Sequence, residues 1–307
     1  ALNLADHSEV VITGLCDRDE AKAVALAEEL VDGYENNQRP SVYTDWTEMI
    51  KRESLDVIMV GTMADVRPAA TIAALESGAH VLAAKPMAHS LQEADAMLGA
   101  ARRADRILMV GYNFRFRDDA IAMKRFIDEG GLGSPLFARA WSYESSVPTS
   151  GPHYIKSVSG GGSVASSAIH PIDLSVWFLG CPEIESVYSQ VGSRFSNLPS
   201  LPLELKAIRS KYDAEDIATG FVKFTNGASM SIEAMWLAPF QVQNKGVDVW
   251  GTEGYASLIP FKMLTWDGGV YSDRSEEIGP GIAREFVDDS SLRARREVLH
   301  FIDCALG

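Results

Sequence analysis

Three polar residues at helical spacing, Ser166, His170 and Asp173, have side chains that can move protons and bind hydroxyl groups. Spacings of four and three residues place them on one face of a predicted helix. Because histidine titrates near neutral pH, His170 can act as a general base toward a substrate hydroxyl, although a satisfied structural histidine explains it equally well. The GGGS run at 160–163 precedes this helix, either as a flexible joint or as a place where backbone approaches a ligand.

A second set of polar residues follows two predicted parallel strands. Thr62 and Met63 come after DVIMVG, and Lys85 and Pro86 come after HVLAA. Open α/β sheets bind ligands at the carboxyl ends of their strands. A lysine there can stabilise a developing alkoxide, and a solvated loop lysine is the alternative.

Asp17 directly follows another predicted strand, at residues 10–16. An acidic residue there accepts hydrogen bonds from adenosine ribose hydroxyls and repels a 2′-phosphate, which favours NAD over NADP, although Arg18 beside it would tolerate the phosphate. A helix N-cap is the alternative role. The G-x-G-x-x-G turn expected about 20 residues earlier is not among the sixteen residues before Asp17, so we expect the chain to begin inside the first crossover helix.

The elements that position these residues suggest two domains. Short β-branched runs alternate with amphipathic stretches up to residue 112, which predicts a doubly wound dinucleotide-binding domain over 1–112. Its predicted strands and helices lie at 10–16, 19–30, 41–44, 56–61, 67–77, 80–84, 91–104 and 107–111.

The remainder, residues 113–307, predicts an α+β domain for substrate binding and oligomerisation, with a large, mostly antiparallel open sheet. Asn226-Gly227 between two alternating runs indicates a hairpin. Its other predicted elements are helices at 118–129, 163–179 and 292–306, a strand at 136–143 and a loop at 144–162. Trp141, Tyr143, His153 and Tyr154 cluster around this loop; aromatic rings suit sugar faces, although most such residues are core.

Composition excludes several classes of protein. Of 307 residues, 46% are hydrophobic and 23% charged, which is typical of a globular protein. The net charge of −14 disfavours nucleic acid and anionic membrane as partners. The cysteines, Cys16, Cys181 and Cys304, are odd in number and in no metal-ligand spacing, which favours free thiols in the cytoplasm and predicts no metal site.

Four segments taken together resemble the glucose-fructose oxidoreductase, inositol dehydrogenase and MocA family: VIMVGTMADVRPAATIAALESGAHVLAAKPMAHSLQEADAM, VGYNFRF, GGGSVASSAIHPIDLSVWFLG and VWGTEGYASL. The resemblance implies a dinucleotide-binding domain before a domain with a broad sheet, a homodimer or homotetramer, and NAD(P)-dependent oxidation of a sugar or cyclic polyol. It also implies that more chain follows the final helix.

The resemblance assigns roles to individual residues. Lys85-Pro86 matches the Lys-Pro of the family's Glu-Lys-Pro motif, and His170 matches its catalytic histidine. In the implied mechanism the substrate hydroxyl sits between Lys85 and His170. Asn113 and Arg115 match the family's Tyr-Asn-x-Arg segment, and Asp173 matches the acidic residue that commonly follows the histidine. Together with the residues identified above from their type and position, the predicted cofactor contacts are Asp17, Arg18, Thr62, Met63, Lys85, Pro86 and Asn113, and the predicted substrate contacts are Arg115, Tyr143, Tyr154, Ser166, His170 and Asp173.

Two departures keep other functions open. Ala84 stands where the family has a glutamate, and Ser166 where it has an aspartate. Serine cannot act as a base at neutral pH. The alternatives to a dehydrogenase are an NAD-dependent glycoside hydrolase or lyase, and an NAD-binding metabolite sensor without turnover.

Overall fold

A computed structural model describes residues 7–33, 39–148, 151–194, 197, 206, 208–238, 244–282 and 289–307. The chain divides into two compact units, Ala1–Asn113 with Asp289–Gly307, and Phe114–Asp288.

The elements follow the chain through the first unit, the second unit and back. The first unit contains β1 (Gly14–Cys16), α1 (Glu20–Gly33), β2 (Ser41–Tyr43), α2 (Trp46–Arg52), β3 (Val57–Val60), α3 (Arg67–Glu76), β4 (His80–Ala84), α4 (Leu91–Ala104) and β5 (Leu108–Gly111). The second contains α5 (Asp118–Asp128), β6 (Pro135–Tyr143), α6 (Lys156–Ser159), α7 (Ile169–Phe178), β7 (Ile184–Gly192), β8 (Ile217–Phe224), β9 (Ser229–Met235), β10 (Asn244–Gly251), β11 (Gly254–Leu258), β12 (Phe261–Asp267), β13 (Val270–Asp273) and α8 (Ser275–Ile278). The chain then returns to the first unit as α9 (Ser290–Leu306).

Parallel strands form the centre of the first unit. β1 pairs with β2, and β3, β4 and β5 form a separate sheet in that order. On one face of the larger sheet, Val81 and Ala83 are buried in the same apolar cluster as Leu75 of α3 and Met97 of α4. Burying a side chain such as Leu75 stabilises the fold by about 1.5–3 kcal/mol.

The last helix, α9, packs on the opposite face of that sheet. Leu82 of β4 is buried with Val298, Phe301 and Ile302 of α9. With helices on both faces, the strands must be nearly continuous apolar runs, as VIMV and HVLAA are. The prediction of a parallel α/β unit is therefore confirmed.

Residues 289–307 pack with the first unit, whereas the sequence boundary assigned them to the second domain. The apolar face of α9 predicts a buried helix, but periodicity does not identify the surface that buries it. Asp289 caps the helix by accepting hydrogen bonds from the backbone N–H groups of Ser291 and Leu292.

The second unit is built on an eight-stranded sheet in the order β13-β12-β11-β10-β6-β9-β8-β7. Its neighbours are antiparallel except β6 and β9, which are parallel, so the prediction of a mostly antiparallel sheet is confirmed. Asn226-Gly227 joins β8 to β9, and Gly227 adopts a φ of +86° that suits glycine. Ala138, Val247 and Met230 face α5 and α7 in one apolar core.

Three predicted boundaries differ from the structure. The strand expected at 10–16 is assigned only at Gly14–Cys16, and the loop expected at 144–162 contains α6. The helix expected at 163–179 begins with a π-helical turn, Val164–Ala168, before α7. Within the described ranges, no helix has both the length and the apolar character to cross a membrane.

Candidate functional site

The carboxyl ends of β3, β4 and β5 lie at one edge of the sheet. In the parallel register Val60 pairs with Ala83, and Ala84 pairs with Gly111. The residues that follow are therefore brought together at this edge: Thr62, Met63, Lys85, Pro86 and Asn113. They are five of the seven cofactor contacts predicted from the sequence.

Two buried polar atoms at this edge, Thr62 Oγ1 and Asn113 Oδ1, have no hydrogen-bond partner among the described residues. Buried polar atoms are normally satisfied, so such exceptions point to a ligand or to water. A hydroxyl and an amide oxygen suit the hydroxyl, amide and phosphate groups of a dinucleotide. The residues present therefore fit an NAD molecule at the strand ends.

Arg67, at the start of α3, joins two of these strand-end segments. Its guanidinium donates hydrogen bonds to the backbone carbonyls of Thr62 and Pro86, and the residue is only 4% exposed. Burial lowers its pKa to about 10, which leaves the group charged at neutral pH. The sequence analysis treated Arg67 only as the start of a helix; a charged residue at the start of the apolar run PAATIAAL was the signal that could have identified it.

Asp17 and Arg18 follow β1, which belongs to the other sheet of this unit, and both are exposed. Asp17 Oδ1 accepts a hydrogen bond of 2.9 Å from the backbone N–H of Asp19, so this carboxylate organises the turn before α1. The first helical hydrogen bonds, from the backbone N–H groups of Lys22 and Ala23, go to the carbonyl of Asp19, so this contact forms a turn before the helix and is not the N-cap considered for Asp17. A turn bond to one oxygen still leaves a carboxylate with further acceptor capacity.

Glu297 of α9 lies behind the strand ends and is 8% exposed. A Cβ at Gly111 would lie 3.3 Å from its Oε2, and Oε1 has no hydrogen-bond partner among the described residues. Burial raises the pKa of Glu297 to about 7, with partial opposition from Arg293. The side chain thus gives this end of the sheet a carboxyl group that changes charge near neutral pH.

The raised pKa of Glu297 predicts a loss of stability with increasing pH. Between the unfolded value near 4.5 and the folded value of about 7, the folded chain binds the extra proton, so the free energy of unfolding falls. The free energy of unfolding is measured by chemical denaturation at about pH 5 and about pH 8.5. Between these two pH values it is expected to fall by about 2 kcal/mol less in Glu297→Gln than in the wild type. Glu28→Gln, on the exposed side of α1, is the matched control and should follow the wild type. Parallel curves for wild type and Glu297→Gln would contradict the prediction.

In the second unit His170 lies in the first turn of α7 and is 7% exposed. Its ring stacks on Phe114 with the centroids 4.2 Å apart. The guanidinium of Arg117 lies 4.9 Å from the centroid of the Phe114 ring, and it forms hydrogen bonds of 2.9 and 2.6 Å with buried Asp119. This stack fixes the plane of the imidazole.

The π-helical turn before α7 contains Ser166, whose Oγ lies 3.3 Å from Nδ1 of His153. Pro171 has no N–H, and its ring would clash with the carbonyl four residues earlier in a regular helix; the wider π turn occurs directly before it. At Gly162, a Cβ would lie 1.9 Å from the carbonyl oxygen of Glu215. The close approach in the GGGS run is therefore to the chain's own backbone.

Arg115 and Asp173 bind each other. Nε and Nη2 of Arg115 donate hydrogen bonds of 2.8 and 2.7 Å to the two carboxylate oxygens of Asp173. Burial raises the pKa of Asp173, although Arg115 opposes this shift. The guanidinium also lies 5.4 Å from the centroid of the Trp177 ring. Two expected substrate contacts thus form one ion pair, which joins Arg115 to the helix that carries His170.

Tyr143 and Tyr154 lie in different surroundings. Tyr143 shares a sheet face with Arg139, which binds Glu233, and its hydroxyl donates to the same Glu233. Side-chain alternation places this face opposite the one that packs against α7, so the structure does not bring Tyr143 near His170. Tyr154 stacks on Tyr212 at 6.2 Å, in an apolar cluster with Trp236.

A parallel sheet with unsatisfied polar atoms at its strand ends is typical of a dinucleotide-binding protein. The family model described as "Oxidoreductase family, NAD-binding Rossmann fold" matches residues 1–112, and the GFO/IDH/MocA C-terminal domain model matches residues 120–257. The chain belongs to the GFO/IDH/MocA family of oxidoreductases, and its first unit is an NAD-binding Rossmann domain.

Similar proteins extend over most of the chain. D-glucoside 3-dehydrogenase of Escherichia coli (strain K12) is 26% identical over 98% of this chain and 82% of its own length. Levoglucosan dehydrogenase of Pseudarthrobacter phenanthrenivorans is 29% identical over 72% of this chain and 58% of its own length. A solved levoglucosan dehydrogenase in complex with NADH and levoglucosan has the same fold, with a TM-score of 0.76 and 23% identity over 96% of this chain and 81% of that chain.

Proposed function

We propose that this protein transfers hydride from a CH–OH group of a sugar or cyclic polyol to NAD. The observation that carries the proposal is the group of unsatisfied polar atoms beside Lys85 at the strand ends of the Rossmann unit. The similarity to D-glucoside 3-dehydrogenase and levoglucosan dehydrogenase supports a carbohydrate as the substrate.

Lys85 and His170 divide the proton chemistry of this reaction. Bound NAD supplies the hydride acceptor. The ammonium of Lys85 donates to the substrate oxygen and stabilises its alkoxide character in the transition state. The imidazole of His170, held flat against Phe114, removes the hydroxyl proton. Both effects require fixed placement, which stacking and packing provide.

The remaining site residues have supporting roles in this proposal. Ser166 is hydrogen-bonded to His153 and orients the substrate or the imidazole, but it does not act as an acid or base. The ion pair between Arg115 and Asp173 holds the face of α7 in place, and its guanidinium and carboxylate groups bind the substrate hydroxyls. Asp17 binds the adenosine ribose and favours NAD over NADP.

Assembly and compartment form part of the same proposal. The sheet face opposite α7 exposes Tyr188, Phe221 and Trp250, with relative exposures of 80%, 48% and 38%. Exposed apolar groups of this kind favour a homodimer or homotetramer packed through the sheet, and a monomeric mass by light scattering would exclude it.

All three cysteines are free thiols, which favours the cytoplasm.

A substrate panel tests the proposed function. The full-length protein is incubated with NAD or NADP and a set of sugars, glycosides and inositols, and reduced cofactor is followed at its absorbance band. We expect reduction of NAD with at least one carbohydrate, and a kcat/KM for NADP at least about tenfold lower because Asp17 repels the 2′-phosphate. Binding of NADH without turnover of any carbohydrate would contradict the proposal.

A further inference from the structure

The side chain of Arg67 spans the gap between the segment after β3 and the segment after β4. Nη2 donates to the carbonyl of Thr62 and Nη1 to the carbonyl of Pro86. One segment carries the unsatisfied Thr62 hydroxyl, and the other carries Lys85. The planar fork of a guanidinium fixes both carbonyls at once, which a single ammonium does less well.

The position of Arg67 lowers the stability of the fold, so a contribution to stability does not explain why the residue is there. The residue is 4% exposed, and among the described residues its Nε has no hydrogen-bond partner and its guanidinium forms no ion pair. The charge of Asp65 only partly opposes the effect of burial, which still lowers the pKa of Arg67. It is also the first residue of α3, where the helix dipole disfavours a cation. A buried and incompletely satisfied cation usually costs stability relative to an apolar residue that fills the same space.

We propose that Arg67 is a positioning residue of the NAD site, which holds the Thr62 segment and the Lys85–Pro86 segment at a fixed spacing. This inference rests on the proposed function, because it assumes that these two segments contact the cofactor and that Lys85 contacts the substrate. Through the carbonyl of Pro86, the guanidinium restricts the backbone that carries Lys85. Through the carbonyl of Thr62, it restricts the backbone beside the nicotinamide dinucleotide.

Arg106 provides a matched control in the same unit. Its Nε donates to the carbonyl of Gly78, so it is also an arginine bound to backbone between two strand segments. Arg106 and Gly78 precede β5 and β4, and therefore lie at the amino ends of the strands, away from the proposed site. Loss of either arginine removes a side-chain to backbone contact, but only Arg67 is expected to affect the cofactor.

The experiment compares Arg67→Lys, Arg67→Ala and Arg106→Ala with the wild type. NADH affinity is measured by energy transfer from tryptophan to the reduced nicotinamide. The constants kcat and KM are measured with the best substrate of the panel, and stability is measured by thermal unfolding. For the Arg67 variants we expect NADH affinity to fall about tenfold and kcat about 10- to 100-fold, since misplacement of about 1 Å has effects of this size. Arg106→Ala should stay within about twofold of the wild type in both.

Added guanidinium ion separates positioning from general destabilisation. It should restore part of the NADH affinity and turnover of Arg67→Ala, with no effect on Arg106→Ala. Wild-type NADH affinity and kcat in both Arg67 variants would overturn the inference. The inference would also be overturned if the losses of NADH affinity and kcat matched a loss of thermal stability and added guanidinium did not reverse them. If the wild type binds NADH but oxidises no carbohydrate, the proposed function fails, and NADH affinity still decides the role of Arg67.

Discussion

Replacement of Lys85 by alanine is expected to lower kcat by about 10³-fold, because it removes the donor that stabilises negative charge on the substrate oxygen. Lys85 directly follows β4, the central strand of the three-stranded sheet, and its side chain is half-buried. The main chain around it is held by the Arg67 contact to Pro86. A lysine in a fixed position loses little entropy when it binds a developing alkoxide. Its removal therefore destabilises mainly the transition state, and the effect is measured as a lower kcat.

The separation of kcat from cofactor affinity makes this prediction specific. NADH affinity of Lys85→Ala should stay within about threefold of the wild type, because the dinucleotide retains its other contacts at the strand ends. Lys51→Ala, an exposed lysine of α2, should leave kcat unchanged. Turnover by Lys85→Ala equal to that of the wild type would remove Lys85 from the mechanism. A large loss of NADH affinity with unchanged kcat would make it a cofactor contact only.

The strand-end part of the site was predictable because local sequence fixes it. HVLAA and VIMV are short apolar runs, and the residues directly after such strands in a parallel sheet must meet at one edge. The capping box of Ser90 and Glu93 likewise marks the start of α4 where it was expected. In these elements the determining contacts lie within a few residues of the chain.

Sequence patterns could not predict contacts between side chains that are far apart along the chain. Arg115 and Asp173 are 58 residues apart, and nothing in their local patterns shows that they bind each other. Tyr143 and Glu233 are 90 residues apart, and they meet because β6 pairs in parallel with β9 inside an otherwise antiparallel sheet. The choice of pairing depends on the whole sheet, so the face on which Tyr143 lies could not be derived from alternation alone.

The docking of α9 illustrates the same limit. Its amphipathic face and its cap at Asp289 are visible in the sequence, but its burial against Leu82 is a contact with a strand about 200 residues earlier. The raised pKa of Glu297 follows from that burial. The sequence predicts that one face of this helix is buried, but not that the burial places a titrating carboxyl group behind the strand ends.

Replacement of His170 by glutamine is expected to lower kcat/KM by about 10² to 10⁴-fold near neutral pH. A neutral imidazole accepts the substrate proton and glutamine cannot, so in the variant the proton passes to water, whose capacity as a base does not change with pH. The wild type should therefore show an acidic limb in its profile of kcat/KM against pH, and His170→Gln should lose that limb. The amide keeps a planar polar group against Phe114, so the variant separates proton transfer from packing.

His80 is the matched control for this measurement. Its Nδ1 accepts a 3.0 Å hydrogen bond from the backbone N–H of Ile107, which makes it a structural histidine at the amino end of β4. Burial, with a contribution from Arg106, lowers the pKa of His80, so titration of this residue would also fall on the acidic side. If His170 is the base, His80→Gln keeps the acidic limb and His170→Gln loses it. An acidic limb that persists in His170→Gln and disappears in His80→Gln would assign the limb to folding instead, because protonation of His80 then breaks its bond to Ile107.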